Sequence, residues 1–108
     1  MQVTRTPPEQ PKDFKIIYLN KRYYAMVSDC DFEKLKKYKW RIKKSAHCLY
    51  AVSRPRYATG YVNIKMHRLI METPQGMDCH HINGNTLDNR WENLVNLSKA
   101  EHAERHQW

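Results

Sequence analysis

No run of 18 apolar residues occurs in this 108-residue chain, so no segment reads as a membrane-spanning helix. The opening Met-Gln-Val-Thr-Arg-Thr-Pro-Pro holds no apolar signal core, which argues against export through a cleaved leader and for a cytoplasmic protein. Cysteine is sparse: Cys30, Cys48 and Cys79 are far apart, odd in number and form no CxxC pair. That pattern argues against a thiolate zinc site and a disulfide framework, and fits three reduced thiols. No internal repeat and no low-complexity tract is present, which sets aside solenoids and long linkers. No heptad seam marks an interface, so monomer and homodimer both stay open.

What is present suits one compact domain or two very small ones, because 41% of the residues are hydrophobic and can bury a modest core. The formal charge of +8 is unevenly spread. Residues 1–77 carry 16 Lys/Arg against 6 Asp/Glu, whereas residues 78–108 carry 3 against 5. A basic body with a slightly acidic, His-rich tail fits a polyanion-binding module joined to a cation site.

Residues 1–13, with Pro7, Pro8 and Pro11, read as an extended arm. Residues 14–19 read as a strand, Asn20-Lys21 as a turn and residues 22–27 as the partner strand. Ser28 or Asp29 can cap a helix reaching about Tyr38, with Phe32 and Leu35 on one face. Residues 40–43, 48–53 and 61–65 read as three further strands, with a turn at Thr59-Gly60. Residues 67–72 make a short helix that Pro74 and Gly76 end.

Residues 34–44 hold seven Lys/Arg and no acid, interleaved with Tyr38 and Trp40. Lys36, Lys37, Lys39, Arg41, Lys43 and Lys44 of this run, with Arg54, Arg56 and Lys65 on the predicted sheet, are candidate nucleic-acid contacts. Cations there would neutralise phosphates and release counterions. Tyr38 and Trp40 themselves read as core.

Four of the six histidines fall in the last 29 residues: His80, His81, His102 and His106. Residues 78–82 form a strand candidate, and residues 83–93 are too polar for a core element and read as a loop. Residues 94–97 are apolar enough for a return strand. Ser98 with Glu101 three residues on is a capping box, so a helix starts near Lys99. That helix sets His102 and His106 one turn apart on one face. Two such histidines and a third from a facing strand can make a tridentate site with positions left open for water and phosphate. Neighbouring strand residues point to opposite faces, so one of His80 and His81 can bind metal while the other addresses substrate. A histidine also accepts a proton near neutral pH. His67 reads as structural and His47 as an exposed residue beside a turn.

The run Cys79-His-His-Ile-Asn-Gly-Asn-Thr-Leu-Asp-Asn-Arg-Trp-Glu-Asn-Leu94 resembles the core of phage-type and homing HNH endonucleases. Asn93, His102 and His106, spaced by eight and three residues, also resemble the colicin-type signature, whose first gap is longer than the one here. The resemblance covers residues 78–106. It implies that His81 is the general base, that Asn93 braces the loop and holds the His81 ring, and that His80, His102 and His106 are metal ligands. Asp31–Arg41 and Met66–Met71 resemble, more loosely, the AP2-like DNA-binding region that precedes the nuclease core in many phage HNH proteins.

The implied fold is α+β: a flexible arm (1–13), a basic AP2-like region of small antiparallel sheet and helix (14–77), and a C-terminal ββα-metal motif (78–108). The implied function is metal-dependent hydrolysis of double-stranded DNA, leaving 5′-phosphate and 3′-hydroxyl ends, by a phage or mobile-element protein in a bacterial host. The divalent ion is expected to be Mg2+ or Mn2+, with Zn2+ or Ni2+ as alternatives suited to imidazole ligands. Arg90 is either a phosphate contact or an exposed loop residue. Two rivals are a non-enzymatic DNA-binding module with a structural zinc and a cytotoxic or RNA-directed nuclease built on the same core.

Overall fold

The computed structural model describes residues 13–45 and 48–101. The expected arm, apart from Asp13, and His47, His102 and His106 lie outside the described residues.

The fold is α+β, with small sheets and short helices. β1 (Phe14–Tyr18) and β2 (Tyr24–Ser28) form an antiparallel hairpin, paired from Phe14↔Ser28 to Tyr18↔Tyr24. Its turn is set by Asn20, whose Oδ1 accepts the backbone N–H groups of Arg22 and Tyr23, each at 2.8 Å. Helix α1 (Asp29–Leu35) follows and ends about three residues before the predicted stop. The reason is Trp40: its indole N–H donates to the Leu35 carbonyl at 2.8 Å and draws the chain back under the helix end. Ser28 stands at the helix N-cap, yet its hydroxyl caps nothing there. It accepts the backbone N–H of Trp91 instead, at 2.8 Å.

β3 (Arg41–Lys44), β4 (Leu49–Ser53) and β7 (Ile64–Lys65) form a second sheet in the order β3-β4-β7. The strand expected over residues 61–65 is split, because β5 (Arg56–Tyr57) and β6 (Gly60–Tyr61) close a small hairpin of their own before β7 begins. Gly60 supplies the positive φ of 116° at its turn. Helix α2 (Met66–Met71) buries Met66, His67, Ile70 and Met71. It ends at Glu72 in the left-handed conformation, whose N–H closes onto the Arg68 and Leu69 carbonyls.

The C-terminal part is a ladder of β8 (Asp78–His81) with β10 (Leu94–Leu97), in the register His81↔Leu94 and His80↔Val95. Between them the expected polar loop contains β9 (Asp88–Asn89) and a short 3-10 turn, Trp91–Asn93. β9 is the third strand of the first sheet and runs parallel to β2, with Val27 opposite Asn89. After β10, Ser98 and Glu101 close the predicted capping box: Glu101 N–H donates to Ser98 Oγ at 3.1 Å and Ser98 N–H to Glu101 Oε1 at 2.9 Å.

One apolar cluster joins these parts. It includes Ala25, Val27, Leu35, Trp40, Ala51, Met66, Ile70 and Leu94, with Tyr38 packed at its edge. The expected division between residues 77 and 78 therefore does not separate two cores. Strand β9 reaches across it, and the Thr86 hydroxyl donates to the Leu49 carbonyl. Asn96 fastens β10 to the end of α2, donating to the Met71 carbonyl at 3.0 Å and accepting from Thr73 Oγ1 at 2.7 Å. Among the described residues no helix is long and apolar enough to cross a membrane.

Candidate active site

The segment between β8 and β10 was expected to be too polar to enter the core. Part of it is buried nonetheless: Asp88, Asn89 and Asn93 are at most 5% exposed. Burying polar groups costs free energy unless each finds a partner, and here the partners are Asn83, Arg90, His81 and one another. Asn93 Nδ2 donates to Asn83 Oδ1 and to the Asp88 carbonyl, both at 2.9 Å, and Asn93 Oδ1 accepts the Asn83 backbone N–H at 2.9 Å. Asn83 Nδ2 donates to Asp88 Oδ2 at 2.9 Å. Arg90 grips the other side of that carboxylate, Nε to Oδ1 at 2.7 Å and Nη2 to Oδ2 at 2.8 Å. Burial alone would raise the Asp88 carboxyl, but the bonds from Arg90 and Asn83 outweigh it and hold it below its usual range. The Arg90 guanidinium is thus bound to a buried carboxylate, with 28% of its side chain left exposed.

This polar knot fixes the turn that carries His81. Gly84 N–H bonds back to the His81 carbonyl at 3.1 Å, and Ile82 N–H to the Asn93 carbonyl at 2.8 Å. His81 is 6% exposed. Its Nε2 lies 2.7 Å from Asn89 Oδ1. Asn93 was expected to brace the loop and to hold this ring as well. Its bonds brace the loop, and the ring's partner is Asn89, because β9 delivers Asn89 from the opposite side of the turn. A second partner also escaped the sequence reading. The His67 ring of α2 lies 4.8 Å from the His81 ring, centroid to centroid, and 5.6 Å from the Tyr50 ring. Asn89 lies within the nuclease-like run Cys79–Leu94 and His67 within the run Met66–Met71, and neither run marks them as partners of His81.

Burial holds the His81 imidazole below its ordinary range, against the opposing pull of the Asn89 bond and the Asp88 charge. His67 is driven further, down to about 3, first by burial and then by the charges of His81, Lys65 and Arg68. Both rings are therefore neutral near pH 7. The Cys79 thiol donates to the His67 carbonyl at 3.6 Å, and burial pushes it up to about 11, so it stays protonated.

A cavity of about 320 Å³ opens here, lined by His67, Cys79, His80, His81, Gly84, Tyr50, Lys65 and Arg68 among others. Both His80 and His81 reach it, at the point where β8 ends and strict alternation lapses. Of the three histidines expected to hold a metal, His80 alone belongs to the described residues. Asp78 lines the same cavity, and imidazole and carboxylate are both donors to divalent ions. Two donors do not complete a site, and among the described residues no cluster of three His, Cys, Asp or Glu side chains is placed to hold an ion.

Basic residues continue outward from this cavity. Lys65 lines it and also lines an adjoining groove with Arg41, Lys43 and Arg54. Arg41 and Arg54 in turn line a further groove with Lys37, Lys39 and Tyr61. Arg54 lies over the Tyr61 ring at 4.6 Å and Arg56 at 5.8 Å. Lys44 is exposed at the end of β3, and Lys36 is paired with Glu33 at 2.8 Å.

No curated protein and no solved structure matches the chain. A family model does, over residues 65–104, a stretch that takes in α2, the His80-His81 strand, the polar knot and β10. That family is described as HNH endonuclease, and residues 65–104 are what resembles it.

Proposed function

We propose that the protein is a metal-dependent endonuclease that hydrolyses phosphodiester bonds of double-stranded DNA, with His81 as the general base. The observation that carries this reading is a neutral histidine on a cavity wall, held at one nitrogen by Asn89 and backed by His67. A side-chain amide oxygen can only accept, so Nε2 carries the ring proton and Nδ1 keeps the lone pair. Burial keeps that lone pair from being protonated near neutral pH, which is the state a base needs. His81 would take a proton from a water that attacks phosphorus in line with the departing 3′ oxygen.

His80 would hold a divalent ion together with His102 and, by the colicin-type resemblance, His106. Such an ion, Mg2+ or Mn2+ with Zn2+ or Ni2+ as alternatives, supplies positive charge against the developing negative charge on the phosphate oxygens. The chain's own cations serve binding. Lys65, Arg41, Lys43, Arg54, Lys37 and Lys39 form an unbroken basic run from the cavity, which supports a long polyanion lying across the sheet. A zinc-stapled binding module fits less well, because the protonated Cys79 thiol is already hydrogen-bonded to the backbone.

The test is cleavage of supercoiled plasmid by metal-stripped protein given Mg2+, Mn2+, Ni2+ or Zn2+ separately. Metal-dependent nicked or linear product with 5′-phosphate ends is expected. Folded, DNA-binding protein that cuts with none of these ions would overturn the reading.

A further inference from the structure

We infer that Asn89 is the positioning residue that sets the tautomer and orientation of His81, a role that the family motif reading gave to Asn93. The inference rests on the proposed role of His81 as base. Asn89 is fully buried, and its Oδ1 lies 2.7 Å from His81 Nε2. Among the described residues its Nδ2 has no hydrogen-bond partner. A buried amide that leaves one end unsatisfied is poorly chosen for stability alone. Among the described residues its side-chain bond is the one to the histidine.

The backbone makes that bond stiff. Asn89 belongs to β9, which is laid parallel against β2 with Val27 opposite and Met26 N–H donating to the Leu87 carbonyl at 2.9 Å. The His81 ring is thereby held at its edge by a residue anchored in the first sheet and lies against the tilted ring of His67 of α2. Asn93, by contrast, places both ends of its amide on Asn83 and Asp88. It shapes the turn, and no bond joins it to the ring.

A neutral acceptor at this point has a chemical consequence. It fixes the proton on Nε2 and leaves Nδ1 as the basic nitrogen. A histidine free to exchange tautomers would hold its lone pair on the wrong side for part of the time.

The experiment is long-range 15N–1H correlation NMR of the metal-free full chain, with steady-state cleavage kinetics on the same samples. In the wild type, His81 should show the Nε2–H tautomer. Asn89→Leu, of similar volume, should admit the Nδ1–H form and lower kcat roughly 100-fold with KM little changed. Asn89→Asp keeps an acceptor and should restore the wild-type tautomer and most of kcat. Should the leucine variant fail to fold, the wild-type tautomer and the aspartate variant still decide. An Nδ1–H tautomer in the wild type, or a leucine variant with unchanged tautomer and kcat, would overturn the inference. The NMR readout requires no cleavage, so a failed nuclease reading would appear separately, as absent wild-type turnover beside an ordered Nε2–H tautomer.

Discussion

Acid should destabilise this protein through His67, and the size of the effect follows from its surroundings. The ring is 6% exposed, against Tyr50 and His81, and its pKa is held down to about 3. On unfolding it returns to the usual histidine value near 6.5. Between those values the unfolded chain binds a proton that the folded chain refuses. Stability is therefore fully present above about pH 6.5 and is lost as pH falls towards about 3. One proton gives about 1.4 kcal/mol per pH unit within that window. From about pH 7.5 to about pH 5 the loss through His67 is about 2 kcal/mol. His81, also depressed by burial, adds to it in the same direction. His67→Phe keeps a ring against Tyr50 and His81 but removes the titrating group. Urea unfolding at the two pH values should show the wild type losing about 2 kcal/mol more than the variant over the interval. Equal losses in the two proteins would refute the reasoning.

Three other outcomes are expected. Arg90→Ala leaves the Asp88 carboxylate buried without its cation and should cost about 2–3 kcal/mol by denaturant titration, the exposed edge of Arg90 moderating the loss. It should leave the salt dependence of DNA binding unchanged. Asn93→Ala removes three hydrogen bonds inside the turn and should cost about 2–3 kcal/mol, measured as a lowered urea midpoint at constant m. Neutralising Lys39 and Arg54 together should weaken DNA binding evenly across sequences and reduce the slope of log K against log salt by about 2, read by fluorescence anisotropy.

Elements set by local signals were legible in the sequence. The first hairpin, the Ser98–Glu101 capping box and the two short helices follow from turn residues, caps and apolar spacing. Trp40 lies in the core as expected and Tyr38 packs half-buried against it, yet Trp40 is also where a local rule failed. Its indole bond to Leu35 shortens α1, and nothing in the helix's own residues announces that. The polar loop was misread for the same kind of reason. Composition places Asp88, Asn89 and Asn93 in solvent, whereas their mutual bonds and the parallel pairing with β2 place them inside. The candidate site divides along this line. His80 and His81 stand out as a doublet in a motif, but Asn89 and His67 become partners of His81 only through contacts 8 and 14 positions away in the chain. The basic run was visible as composition, and its continuity with the His81 cavity through Lys65 emerges from the packing of β3, β4 and β7.

The most direct test of the central claim is plasmid cleavage by His81→Ala beside the wild type, at saturating metal, with DNA affinity measured on the same samples. Loss of cleavage with DNA affinity and fold preserved is the predicted result. Cleavage by His81→Ala at the wild-type rate would contradict the assignment of His81 as the base.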